Sequence, residues 1–249
     1  MRIIISPAKK MNVRRDDFLP ESLPVFMEKT EVLKNVLRSF SYDELKTLWK
    51  CNDKIAEQNF QRLQSMNLYE NLTPAVFSYE GLAFQHMAPQ VFTDRALLYT
   101  NEKLRILSGF YGILKPFDGV TPYRLEMQAP LKVAKSSNLY EFWSSSLYEE
   151  LQKDNDDKII INLASKEYSK AIESWLKPED TFITCVFGTL KESKVVQKAT
   201  EAKMARGDMV RFMAEHDIDN PNQIKEYNGF GYVFNEELSS ETEYVFIKK

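Results

Sequence analysis

The chain has 249 residues, 43% hydrophobic and 28% charged, a balance that excludes a disordered segment and permits a sizeable core. Its formal charge of -3 excludes a protein that is basic throughout, so contact with nucleic acid has to use a local patch. Cys51 and Cys185 are far apart and His86 and His216 are the only imidazoles, so no metal site and no cofactor are expected. No apolar run reaches the roughly 20 residues that cross a bilayer, and the opening before Pro7 is too short for a signal peptide. The expectation is a single domain over residues 1–249, cytoplasmic, without membrane contact.

In chain order, Arg2 to Ile5 reads as a short buried strand, since branched residues run up to a Ser-Pro stop. The first fifteen residues carry Arg2, Lys9, Lys10, Arg14 and Arg15 and no acid, whereas negative charge collects at Asp154 to Asp157 and Glu236 to Glu243. After Pro24 the spacing of Phe26, Val32, Leu33, Val36 and Leu37 suits an amphipathic helix, and Ser41 with Glu44 predicts a capping box, so 24–66 is mainly helical.

Leu104 to Leu107 before Ser108-Gly109 is a strand, as are Lys158 to Leu163 and Thr181 to Phe187. Helical spacing occupies 138–153, 165–176 and 203–217, and Tyr232 to Phe234 with Tyr244 to Ile247 suggests a late hairpin. Alternating strands and helices predict an α/β fold: a mixed central sheet flanked by helices.

Three of these strands end in small polar residues, Ser6, Ser108 and Asn162 to Ser165, which would share one crevice if the strands are parallel. Ser165 also opens a helix, where a hydroxyl caps and free N–H groups attract an anion. Gly109-Phe110-Tyr111-Gly112 has the outline of a helix-hairpin-helix turn able to hold a DNA phosphate, or of an ordinary tight turn. Tyr123-Arg124-Leu125-Glu126 sets an arginine suited to phosphate or a base edge two residues from a carboxylate. Lys203, Arg206 and Gly207 share a helical face, with Arg211 about a turn beyond, and Lys191, Lys194 and Lys198 form a preceding stripe if that segment is helical.

Taken together, Ile5-Ser6-Pro7-Ala8-Lys9, Leu104 to Gly112, Pro122 to Met127, Leu139 to Trp143, Ile161 to Ser165 and Lys203 to Gly207 resemble the signature blocks of the YaaA peroxide-stress family. The blocks run in family order over essentially the whole chain, with Phe110 where Leu is usual. The resemblance implies a compact mixed α/β fold with a positively charged cleft, a helix-hairpin-helix element at Leu107 to Leu114, and binding of DNA, including non-duplex forms. It also implies a role in the peroxide response that restrains free iron, and the scattered His and Cys make that effect indirect.

Two functions then compete. In one, a DNA-binding stress protein meets phosphate with Lys9, Arg124, Lys203, Arg206 and Arg211 and the hairpin of Gly109, Tyr111 and Gly112, with Tyr111 or Tyr123 stacking on bases. In the other, an enzyme acts on a nucleotide or nucleobase in a pocket of Ser6, Ser108, Tyr123, Arg124, Asn162, Ser165 and Tyr168, with Glu126 as general acid or base.

Overall fold

Strand β1 (Arg2–Ile5) is buried along its whole length, as three consecutive isoleucines favour, because their branched side chains fill both faces of the pleat. The computed structural model describes residues 1–14 and 18–249; Arg15, one of the opening basic residues, lies outside them. Beyond the Ser-Pro stop, β2 (Lys10–Met11) precedes the helical region α1 (Met27–Arg38), α2 (Tyr42–Trp49) and α3 (Asp53–Ser65). The capping box forms as expected: the Ser41 N–H donates to Glu44 Oε2 at 2.7 Å and the Glu44 N–H to Ser41 Oγ at 3.4 Å.

Residues that the patterning leaves unassigned supply β3 (Thr73–Pro74), α4 (Ala75–Ser78), β4 (Tyr79–Glu80), α5 (Leu82–Met87) and α6 (Asp94–Lys103). Next come β5 (Leu104–Ser108) and β6 (Gly112–Leu114), which pair antiparallel. Leu107 to Leu114 is therefore a β-hairpin, which corrects the helix-hairpin-helix expectation. Pairing with β1 holds Leu104 to Ile106 extended, and Gly112, at φ +80, turns the chain back along the same strand.

The chain continues through β7 (Gly119–Val120), α7 (Leu139–Trp143), α8 (Ser146–Gln152), β8 (Ile159–Leu163), α9 (Lys166–Glu173), β9 (Thr181–Lys191), β10 (Lys194–Val196), α10 (Ala199–Glu215), β11 (Tyr232–Phe234) and β12 (Glu243–Lys248). The stripe of Lys191, Lys194 and Lys198 does not form. Lys191 and Lys194 face each other across the β9–β10 hairpin, and Lys198 only precedes α10.

The main sheet runs β11-β12-β9-β8-β1-β5-β6, with β10 beside β9. Strands β12, β9, β8, β1 and β5 are parallel, and β11, β10 and β6 add antiparallel edges. This is the expected mixed α/β sheet, late hairpin included. Among the described residues no helix is long and apolar enough to cross a membrane.

Helix α10 lies against α5 at Gly207, where a Cβ would collide with the Ala83 carbonyl. Helix propensity alone favours alanine by about 1 kcal/mol. Gly207→Ala is nevertheless expected to destabilise the fold by about 1–3 kcal/mol through overpacking. Thermal unfolding reads this directly, and an unchanged or raised Tm would show that the two helices are not pressed together.

Candidate functional site

From β1 the chain crosses to β5 on one edge and later to β8 on the other. Loops leaving such a point diverge, and a crevice opens beyond the carboxyl end of β1. A cavity of about 370 Å³ lies there. Its walls are the segment after β1 (Ser6 to Lys10), the stretch Glu80 to Phe84, the segment Tyr123 to Glu126, the start of α9, and Lys203 and Arg206 of α10.

Ser6 and Ser165 meet in this crevice. Ser6 Oγ accepts the Ser165 N–H at 2.8 Å and lies 3.1 Å from Ser165 Oγ. The Ser165 hydroxyl thus faces β1's exit and does not cap α9. The N–H groups of Lys166 and Glu167, at the first helical positions, have no acceptor within the helix. Tyr168, buried on the same wall, keeps its proton because burial raises its pKa.

Glu126 gathers two cations, Lys9 and Arg124. Lys9 Nζ lies 2.8 Å from Oε2, and Arg124 Nη2 lies 3.5 Å from Oε1 and 3.3 Å from the Trp49 carbonyl oxygen. The Arg124 side chain is only 10% exposed, and its Nε has no hydrogen-bond partner among the described residues. Gly109 makes this wall possible: a Cβ there would stand 2.6 Å from the Leu125 carbonyl oxygen and 2.9 Å from the Glu126 carbonyl carbon.

The remaining expected residues fall behind the walls. Gly109, Tyr111 and Gly112 are buried, so they offer no N–H to a DNA phosphate and Tyr111 no face to a base. Tyr111 is a core residue whose hydroxyl accepts the Thr121 N–H at 3.1 Å. Ser108 is also fully buried. It accepts the Phe110 and Tyr111 N–H groups at 3.2 and 2.9 Å and lies 2.6 Å from the Tyr123 hydroxyl. Tyr123 is the wall in front of it, with its own pKa pushed up to about 12 by burial.

Asn162 is equally occupied: it accepts the Ala164 N–H at 2.9 Å and donates to Thr184 Oγ1 at 3.2 Å, shaping the turn from β8 into α9. The shared crevice therefore holds Ser6 and Ser165 but neither Ser108 nor Asn162, because side chains at those two strand ends close their own turns. Arg211 is also elsewhere, paired with Glu215 at 2.8 Å and off the cavity wall.

On α10 the situation is reversed. Lys203 is exposed, Arg206 is half-buried, both line the cavity, and Arg206 Nε has no hydrogen-bond partner among the described residues. Two acidic residues escaped the sequence reading. Glu80 holds Lys10 at 2.7 Å. Glu167, half-buried, accepts the Gln128 N–H at 3.3 Å. Burial raises the Glu167 pKa and the negative Glu126 adds to the rise, while the Gln128 N–H opposes it. Its position two residues after Ser165, in the first turn of a predicted helix, was the only available signal.

A family model described as "Peroxide stress protein YaaA" matches residues 1–238. A UPF0246 protein of Agathobacter rectalis is 56% identical over 249 residues, covering 100% of this chain and 99% of its own length. A UPF0246 protein of Ligilactobacillus salivarius is 55% identical over 248 residues, with 100% of both chains covered. One from Pediococcus pentosaceus is 48% identical over 248 residues, covering 100% of this chain and 98% of its own.

A carboxyl whose pKa is higher folded than unfolded binds extra proton in the folded state, so stability falls as pH rises above the ordinary carboxylate range. Glu167→Gln is therefore expected to raise Tm near pH 7, and the gain should shrink as pH falls below about 4, where both states become protonated. A Tm difference that does not change with pH would show that Glu167 titrates normally.

Proposed function

We propose, for a chain that belongs to the family of the peroxide stress protein YaaA, that it acts in the peroxide response by binding DNA. Phosphates would be met on the cavity wall by Lys203 and Arg206, with Lys9 on the segment after β1 as a further cation. Any effect on free iron and oxidative damage is indirect in this reading. The observation that carries it is the inequality between the cations. Lys9 and Lys10 are held by Glu126 and Glu80, whereas Lys203 and Arg206 have no carboxylate partner among the described residues. Arg206 is a cation partly withdrawn from water and not neutralised, which favours an anion beside it, and phosphate suits an arginine fork.

A second reading is favoured by one observation. Arg124 and Glu126 stand on the wall of a half-open cavity, with Glu167 nearby, where an enzyme acting on a nucleotide or nucleobase would keep a general acid or base. Glu126→Gln separates the two. Loss of a carboxylate near a phosphate-binding surface leaves DNA affinity equal or slightly higher, whereas loss of a general acid or base lowers turnover by about 100-fold or more.

For the DNA-binding reading, Lys203→Gln combined with Arg206→Gln is expected to weaken binding of every DNA sequence. The slope of log affinity against log salt should fall by about one per lost phosphate contact. Circular dichroism confirms that the variant is folded, and salt-titrated fluorescence anisotropy gives the slope. A folded double variant with unchanged affinity and slope would remove α10 from the interface.

A further inference from the structure

The cavity is lined by two chemically different groups of side chains. Helix α10 presents Lys203 and Arg206 as cations without an acidic partner among the described residues. The segment packed on the Gly109 turn presents a guanidinium and a carboxylate side by side in Arg124 and Glu126, with Lys9 also on the carboxylate and Glu167 near enough to feel Glu126's charge. Apolar surface from Ile5, Leu163, Phe84 and Tyr168 lines the space as well.

We propose that this cavity holds one nucleoside monophosphate unit, with phosphate at Lys203 and Arg206, the base against the apolar lining, and the base's polar edge toward Arg124 and Glu126. Inorganic phosphate or a sugar phosphate would leave the aromatic lining unused and the Arg124–Glu126 pair without a ligand group to meet. An acyl chain would strand a guanidinium and two carboxylates against hydrocarbon, which is costly. A nucleobase edge carries acceptors and N–H donors together, the complement of an arginine beside a glutamate. The volume of about 370 Å³ is near the lower end of small-molecule sites. A duplex cannot enter it, whereas a single nucleotide can.

The unit can be a free mononucleotide or a nucleotide unstacked from a DNA strand, as in proteins that extrude a base. The second source rests on the DNA-binding reading and the first does not. The test is calorimetric titration of the full chain with each of the four deoxynucleoside monophosphates, the matching nucleosides and inorganic phosphate. It is paired with competition by the mononucleotides against a fluorescent single-stranded oligonucleotide.

At least one mononucleotide is expected to bind about tenfold or more tightly than both its nucleoside and inorganic phosphate. Lys203→Gln, at an exposed position, should lose that phosphate advantage. Arg124→Gln should alter the preference among bases and leave the gain from the phosphate in place. Competition with the oligonucleotide would assign the nucleotide of a strand as the source. Mononucleotide binding without any oligonucleotide binding would assign the free nucleotide and overturn DNA binding while this inference stands. Oligonucleotide binding with no mononucleotide binding would overturn the inference and leave DNA binding intact. Mononucleotides no tighter than inorganic phosphate would also overturn it.

Discussion

Strand β1 is hydrogen-bonded along both edges, to β5 from Ile3↔Leu104 to Ile5↔Ile106 and to β8 from Arg2↔Ile160 to Ile5↔Leu163. Its isoleucines are buried on both faces. A slip of one residue would exchange the faces of every side chain and break two ladders at once. Arg2 adds a lock at the other end, donating to the carbonyls of Glu102 at 2.5 Å, Lys153 at 3.2 Å and Asp154 at 2.9 Å. Ser6 to Lys9 consequently leave the sheet at one fixed place. The hydroxyl of Ser6, by holding the Ser165 N–H, fixes the start of α9 relative to that exit.

The two walls facing this exit are positioned by backbone contacts that only glycine permits. Gly109 lets the segment bearing Arg124 and Glu126 lie directly on the β5–β6 turn, and Trp143 Nε1 secures that turn by donating to the Gly109 carbonyl at 3.1 Å. Gly207 lets α10 settle against α5 one residue beyond Arg206. Neither glycine touches the cavity. Their effect is on its width, since close-packed backbone transmits position with little give. A cavity built this way has its charged groups oriented before any ligand arrives, which lowers the ordering cost of binding.

Much of this architecture was legible because it follows from local periodicity. The β-branched strands, the Ser41 capping box and the helical spacing before and after the sheet each report short-range preferences, and tertiary packing reinforced them. The failures share a different cause. Gly109-Phe110-Tyr111-Gly112 has the same local outline between strands as between helices, and only pairing of Ser108 with Gly112 decides the matter. Ser108 and Asn162 were assigned to the crevice by residue type, yet a small polar side chain at a strand end serves its own turn as readily as a ligand. Glu80 and the α5 residues reach the cavity from a segment with no distinctive period. Glu167 became visible as a site residue only once the position of Glu126 was known.

Arg206 also has a neighbour that clarifies what its charge is for. Cys185, on β9, is close enough for the guanidinium to favour its thiolate, and a thiolate there would neutralise Arg206. Burial outweighs that attraction and pushes the Cys185 pKa up to about 12. At neutral pH the thiol is therefore protonated, and a protonated, buried thiol is a poor nucleophile toward peroxide. Burial lowers the pKa of Arg206 as well, but an arginine remains charged across the physiological range. The thiol therefore does not neutralise Arg206, whose open side is the cavity. Behind this wall Cys185, buried and protonated, is therefore a poor target for oxidation by peroxide.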